Sequence, residues 1–199
     1  MTPRVVLASR NAKKLAELRR VLEPLVPGIE VLGLDDVAPF EEPAETEPTF
    51  EGNALIKARA CFAATELPSL ADDSGICVEA LNGMPGVLSA RWSGAGDAAN
   101  NALLLTQLAD VPDERRGAAF VAAVALVWAG GEIVETGRMP GRILQAERGE
   151  GGFGYDPLFA AAGNDISNAE LAPEQKDAIS HRGQALRAVA PLIVAALGG

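Results

Sequence analysis

Leu70-Ala71-Asp72-Asp73-Ser74-Gly75-Ile76-Cys77-Val78 is the stretch on which the reading of this chain turns. Apolar runs flank two adjacent carboxylates, and residues 67–71 and 76–81 read as buried strands on either side of Asp72-Asp73-Ser74-Gly75. Carboxylates next to a buried strand are costly to desolvate. The usual reason for them is a divalent cation, a proton to move, or both. Hard oxygen ligands suit Mg²⁺, which takes one or two carboxylates and completes its shell with water and phosphate oxygens. The same tetrapeptide also suits a polar turn, with Asp and Ser bonding locally and Gly allowing positive φ. Read alone, it is equally a turn or a site.

Outward from that stretch, helical and strand patterns alternate. Residues 4–8 are β-branched and apolar, a first strand. Leu15, Leu18, Leu22 and Leu25 then recur at helical spacing, with Asn11 placed to cap the helix and Pro24 and Pro27-Gly28 to end it. A short strand is expected at 29–34, and an acidic, Pro-rich exposed loop at 35–48. Residues 50–65 read as a helix, with Phe50, Ala54, Leu55, Ala58 and Phe62 on one face. Residues 98–109 form another, and 118–128 a long apolar strand. Gly130-Gly131 is a hairpin signal, 133–137 the returning strand, and 142–146 a further strand. A Gly-rich loop covers 147–154. A terminal helix is expected at 180–197, kinked or interrupted at Pro191. The alternation with at least one hairpin predicts an α/β fold with a mixed sheet.

At 199 residues the chain is long enough for one domain, or for two lobes sharing one sheet. No internal repeat or linker divides residues 1–199. With 48% hydrophobic and 22% charged residues, the composition is that of a globular protein. No run of 18 apolar residues predicts a membrane span. Met1-Thr2-Pro3-Arg4 leads straight into a strand with no signal-peptide pattern, which predicts a cytoplasmic protein. Cys61 and Cys77 read as buried thiols without metal-ligand spacing. The formal net charge of −10 argues against a DNA- or RNA-binding surface. It leaves room for a nucleotide, because a few focused cations hold a triphosphate on an acidic protein. Only four lysines (Lys13, Lys14, Lys57, Lys176) stand against thirteen arginines. A Lys kept in such a chain presents a compact ammonium that guanidinium does not replace.

Four further groups carry possible chemistry. Ser9-Arg10-Asn11-Ala12-Lys13-Lys14 joins the first strand to the first helix, where N–H groups and the dipole favour phosphate. It is equally an ordinary capped helix, and it lacks the glycines and Lys-Ser/Thr ending of a Walker loop. In the acidic loop, Glu41 and Glu42 read as solvated, and Glu45 is the acid best placed to meet Asp73 over a cation. Lys57 reaches a phosphate or pairs with a nearby acid. Gly151-Gly152-Phe153-Gly154-Tyr155-Asp156-Pro157 lets backbone approach a ligand and offers the Phe153 face to a base. It also fits a loop anchored by its aromatic residues. Lys176 and Ser180-His181-Arg182-Gly183 cluster donors at the expected start of the last helix.

These pieces together resemble the inosine triphosphate pyrophosphatase family, the Ham1-like hydrolases of non-canonical purine nucleotides. The resemblance is carried by Ser9-x-Asn11-x-x-Lys14, Glu45-Thr46 with Phe50-x-x-Asn53-Ala54 and Lys57-Ala58-Arg59, Ala71-Asp72-Asp73-Ser74-Gly75, Ser89-Ala90-Arg91, residues 151–157, and Lys176 with residues 180–183. They follow the family's order along nearly the whole chain. Ser9 stands where Thr is common, and Trp92 where Tyr is common. The resemblance implies an elongated mixed β-sheet flanked by helices, two lobes with a central substrate cleft, and a homodimer. It implies hydrolysis of ITP, dITP and XTP to monophosphate and pyrophosphate with Mg²⁺. Ser9, Asn11, Lys14 and Lys57 would hold the phosphates. Asp73 would bind metal or activate water, with Glu45 as its metal partner and Asp72 tuning the site. Ser74 would touch substrate. Phe153 would stack on the purine, with Gly154, Tyr155 and Asp156 shaping its pocket. Lys176, His181 and Arg182 would read the base. Donors there would match a 6-keto purine and be left unpaired by the 6-amino group of adenine. Guanine shares the 6-keto group, so its rejection would rest on its 2-amino group.

Other readings compete. A Maf-like hydrolase of pyrimidine or modified nucleotides is disfavoured by residues 153–157 and 180–183. A nucleotide sensor without turnover has no use for a water-activating Asp73 and Glu45. A haloacid-dehalogenase-like phosphatase needs an Asp-x-Asp nucleophile motif after a strand, which is absent, and would release phosphate.

Overall fold

β1 (Arg4–Leu7) feeds α1 (Ala12–Leu25), followed by β2 (Glu30–Leu32), α2 (Phe50–Thr65) and β3 (Ser69–Val78) in a computed structural model that describes residues 4–197. Then come α3 (Asp97–Gln107), the hairpin strands β4 (Gly117–Trp128) and β5 (Gly131–Ile143), the short β6 (Phe159–Ala161), α4 (Pro173–Ile179) and α5 (His181–Leu197). Met1–Pro3 and Gly198–Gly199, which the readings of the N-terminus and of a 1–199 domain include, lie outside the described residues. The six strands form one sheet in the order β2-β1-β3-β4-β5-β6. β1 runs parallel to β2 and β3, and β5 antiparallel to β6, so the sheet is mixed and the α/β expectation holds.

The chain divides into two compact units. Of the described residues, the first comprises 4–73, 122–137 and 182–197. Its core packs Val5 and Leu7 of β1 and Leu70 of β3 against Leu18 and Leu22 of α1 and Leu186 and Val189 of α5. The spacing Leu18–Leu22 puts both on one helical face. The second unit comprises residues 74–121 and 138–181. Its core gathers Ile76 and Val78, Leu104 of α3 and Leu108 just past its end, Phe120, Tyr155 and Phe159.

Several local expectations need correction. β3 is a single strand of ten residues that passes through Asp72-Asp73-Ser74-Gly75, so the tetrapeptide is neither a turn nor a break. Gly75 is required there: a Cβ would run into the Gly86 carbonyl and the Ser89 hydroxyl. β5 likewise runs unbroken through Pro140 in place of two separate strands. At Gly141 the Ala160 carbonyl and the Phe159 ring leave no room for a side chain. Pro24 lies inside the last turn of α1, which ends at Leu25. The expected terminal helix is present as α5, starting one residue later at His181, and a separate short helix, α4, precedes it. Ser180, at ψ 150°, closes α4, so Lys176 belongs to α4 and not to the start of α5. Pro191 does not interrupt α5. Cys77 is only partly buried, whereas Cys61 is fully buried, and both are free thiols.

Candidate active site

In the first unit, β3 presents Asp72 and Asp73, which point to opposite faces as neighbouring strand residues do. Asp72 is buried, and its carboxylate takes Lys14 Nζ of α1 at 2.6 Å and Arg182 Nε and Nη2 of α5 at 3.2 and 3.3 Å. Arg182 Nη1 also donates to the buried Glu17, one helical turn beyond Lys14. Burial opposes charge on Asp72, but the Arg182 guanidinium and Lys14 ammonium outweigh it and hold the carboxyl well below the usual range. Burial likewise works against the charge on Arg182, and Asp72 and Glu17 reverse that and raise its pKa. The cluster is therefore charged and internally neutralised.

Asp73 has a different environment. Lys57 of α2 places Nζ 3.6 Å from Asp73 Oδ1, 2.8 Å from Glu45 Oε1 and 2.9 Å from the Asp72 carbonyl. Burial pushes the Asp73 carboxyl up; Lys57 pulls it down, the Glu45 charge raises it, and the Asn53 amide favours the ionised form. The result is a carboxylate more basic than an ordinary Asp, under the charges of the Lys57 and Lys14 ammonium groups and of a second acid. Thr49 Oγ1 caps α2 through the Gly52 N–H at 3.1 Å, and Asn53 Oδ1 accepts the Glu47 N–H at 2.9 Å. The loop that carries Glu45 is thereby tied to the helix that carries Lys57.

Ser9 and Asn11 sit at the turn between β1 and α1. Asn11 caps the helix as expected, its Oδ1 accepting the Lys13 and Lys14 N–H groups at 3.0 and 3.1 Å. Ser9 Oγ accepts the Asn11 N–H at 3.2 Å. Two N–H groups expected to face a phosphate are thus capped by the chain itself.

The second unit holds the other candidates. Phe153 is half-buried, with Lys176 Nζ 4.9 Å from its ring centroid. Lys176 also pairs with the buried Asp156 at 2.6 Å, and Asp156 Oδ2 accepts the Phe153 N–H at 2.9 Å. Gly152 has φ +70°, and a Cβ there would collide with the Asp156 carboxylate. Tyr155 is buried and donates its hydroxyl to the Ser89 carbonyl at 2.9 Å; burial and then the Asp97 charge raise its pKa. His181 stacks on Phe120, 4.9 Å between centroids and 12° between planes. Ser74 is half-buried on β3.

The units thus bring together Lys14 with Asp72 and Arg182, Glu45 with Lys57 and Asp73, and Phe153 with Asp156 and Lys176. Sequence reasoning passed over Glu17, Asn53 as a partner of Asp73, Asp97, Asn101 and Asn168, whose Nδ2 reaches Asp156 Oδ1 at 3.4 Å. For Glu17 a signal existed: it lies on the stripe of Lys14 and Val21, between apolar neighbours. Among the described residues no group of three or more His, Cys, Asp or Glu side chains is arranged for a metal. No helix among them is long and apolar enough to cross a membrane.

The Ham1 family model matches residues 5–192. A protein of Nocardia farcinica (strain IFM 10152) named dITP/XTP pyrophosphatase is 63% identical over 196 residues, covering 96% of this chain and 95% of its own. The crystal structure of a nucleoside-triphosphatase, dITP/XTP pyrophosphatase, from Mycobacterium abscessus ATCC 19977 superposes with a TM-score of 0.77 at 58% identity, covering 94% of this chain and 99% of that one. A HAM1 protein from Coxiella burnetii gives 0.86 at 38% identity, over 97% and 99% of the two chains. The resemblance carried by the motifs is borne out over nearly the full length, and the chain belongs to the Ham1 family.

Proposed function

We propose that this chain hydrolyses ITP, dITP and XTP to the nucleoside monophosphate and pyrophosphate, removing non-canonical purines from the nucleotide pool. The observation that carries the reading is the Asp73–Lys57–Glu45 arrangement on a Ham1-family chain. Relatives at this level of identity bear the dITP/XTP pyrophosphatase name. In the proposed reaction Asp73 orients a water and accepts its proton as the oxygen attacks the α-phosphorus. The bond to the bridging α–β oxygen breaks, and pyrophosphate leaves. Lys57 and Lys14 offset charge on the phosphate oxygens, with Ser9 and Asn11 lining the same turn. Asp72 holds Lys14 in place. Arg182, its guanidinium engaged by Asp72 and Glu17, is assigned to positioning Asp72 in place of the base reading expected from sequence.

Asp73 and Glu45 are the residues that would hold Mg²⁺. The donor set fits: both are oxygen ligands, and both already converge on a cation, the Lys57 ammonium. When bound, the ion supplies Lewis-acid stabilisation of phosphate oxygens. For the base, Phe153 supplies the stacking face, Gly154, Tyr155 and Asp156 shape the pocket, Lys176 and His181 supply donors, and Ser74 contacts substrate. We also propose that residues 1–199 work as one domain, in a cytoplasmic homodimer; one unfolding transition and a dimer mass by light scattering are expected.

A panel of ITP, dITP, XTP, ATP, GTP and dTTP with Mg²⁺, read for phosphate with and without added inorganic pyrophosphatase, tests the activity. Signal from ITP, dITP and XTP only with the coupling enzyme is expected. Direct phosphate release would overturn cleavage between α and β, and selective dTTP turnover would overturn the purine reading.

A further inference from the structure

The loop at 151–157 carries the ring assigned to the purine, yet its first five residues lie outside any helix or strand, and Gly152 and Gly154 both have positive φ. Such a segment has little of its own to define a pose. The definition comes from α3. Asp97, in the first turn, accepts the Gly154 N–H on Oδ2 at 2.9 Å. Asn101, one turn later on the same face, donates Nδ2 to the Gly154 carbonyl at 3.2 Å. Both polar groups of the residue after Phe153 are therefore held by side chains of one helix. The Phe153 N–H is held by Asp156, so restraint applies on both sides of the ring.

α3 is itself well anchored. The buried Asn100 donates to the Ser89 and Ala90 carbonyls and accepts the Ser93 N–H at 2.7 Å. At the other end the buried Arg116 donates to the Leu108 carbonyl at 2.8 Å. A helix fixed at both ends can impose its position on residue 154.

We propose that Asp97 and Asn101 are positioning residues for base recognition: by clamping the Gly154 peptide they set the Phe153 ring, and they govern affinity for the purine and not the chemistry at phosphorus. The proposal rests on the assignment of Phe153 to the base. It separates the two functions of the molecule by residue. Substitutions on α3 are expected to change KM and base discrimination and to leave kcat intact.

The test is a set of KM and kcat measurements with ITP and ATP on Asp97→Ala, Asp97→Asn, Asn101→Ala and Phe153→Ala, and on each α3 alanine variant combined with Phe153→Ala. Losing one hydrogen bond to the clamp is expected to raise KM for ITP about fivefold, with kcat within about twofold. Asp97→Asn keeps an acceptor for the Gly154 N–H and is expected to restore KM; a role limited to the charge at the helix start would leave it as impaired as Asp97→Ala. In the Phe153→Ala background the α3 substitutions are expected to change KM by less than about twofold. An unchanged KM in both single variants, an equal rise with and without Phe153, or a fall in kcat at constant KM would each overturn the proposal. Asp97 is exposed, so its variants carry the test if Asn101→Ala loosens the fold. Failure of the wild type to turn over ITP, dITP or XTP would count against the proposed activity instead. Calorimetric binding of inosine monophosphate to wild type and Asp97→Ala would then read the clamp directly, equal affinities overturning it.

Discussion

Asp72 in the first unit is fixed by charges: an ammonium from α1 and a guanidinium from α5, the latter balanced by Glu17. The loop around Phe153 in the second unit is fixed largely through peptide groups: Gly154 by Asp97 and Asn101, Phe153 by Asp156, and Ser89 by the Tyr155 hydroxyl. The first arrangement is an all-or-none set, since removing one charge leaves its partner buried and uncompensated. The second, apart from the buried Asp156–Lys176 pair, is a sum of modest bonds whose members can be lost one at a time. In the proposed reading, the charged set supports the acids beside the phosphates, and the peptide contacts support the face offered to the base.

The strongest way to break this contrast is at Asp73. Asp73→Asn is expected to lower kcat for ITP by about 10³-fold or more while leaving inosine monophosphate binding within about twofold. Turnover within tenfold of wild type would remove Asp73 from the chemistry. Next comes Arg182→Ala, which strands Glu17 and leaves Asp72 paired with Lys14, and is expected to cost about 3–5 kcal/mol in urea unfolding. A loss below about 1 kcal/mol would show that the charges are not interdependent. On the other side, Phe153→Ala is expected to raise KM for ITP by about 1–3 kcal/mol of stacking, with kcat little changed. A kcat effect larger than the KM effect would place Phe153 in the chemistry. The smallest effect is expected for Gly152→Ala. Positive φ and the nearby Asp156 carboxylate make it unfavourable by about 1–2 kcal/mol, read as a lowered thermal midpoint.

What could be read in the sequence follows the same divide between local and distant interactions. The helix at 50–65 was legible to the residue because its apolar spacing is local, and so was the Asn11 cap. Asp72 and Asp73 stood out because two carboxylates interrupt an apolar run. The same interruption hid the strand. Asp and Gly are poor strand formers, yet β3 continues because Lys14 and Arg182 neutralise Asp72 and because Gly75 leaves room for Gly86 and Ser89. Glu17 and Arg182 are 165 residues apart, and Arg182 and Asp72 are 110 apart, so no window along the chain shows them as partners. The part played by Asp97 and Asn101 was hidden for the same reason. Their partner is a glycine more than 50 residues away that offers only its backbone.

Arg116 carries the contrast furthest. Its guanidinium is fully buried, and it donates to the carbonyls of Leu108, Val111, Ile143 and Leu144. Every one of the twenty residue types supplies a carbonyl at those four positions. Drift at 108, 111, 143 or 144 therefore leaves this knot its acceptors, whereas a single change at 116 removes the guanidinium that all four share. Vulnerability is concentrated in one codon, and the neighbours that depend on it are free to vary in side chain as long as they still fill the core.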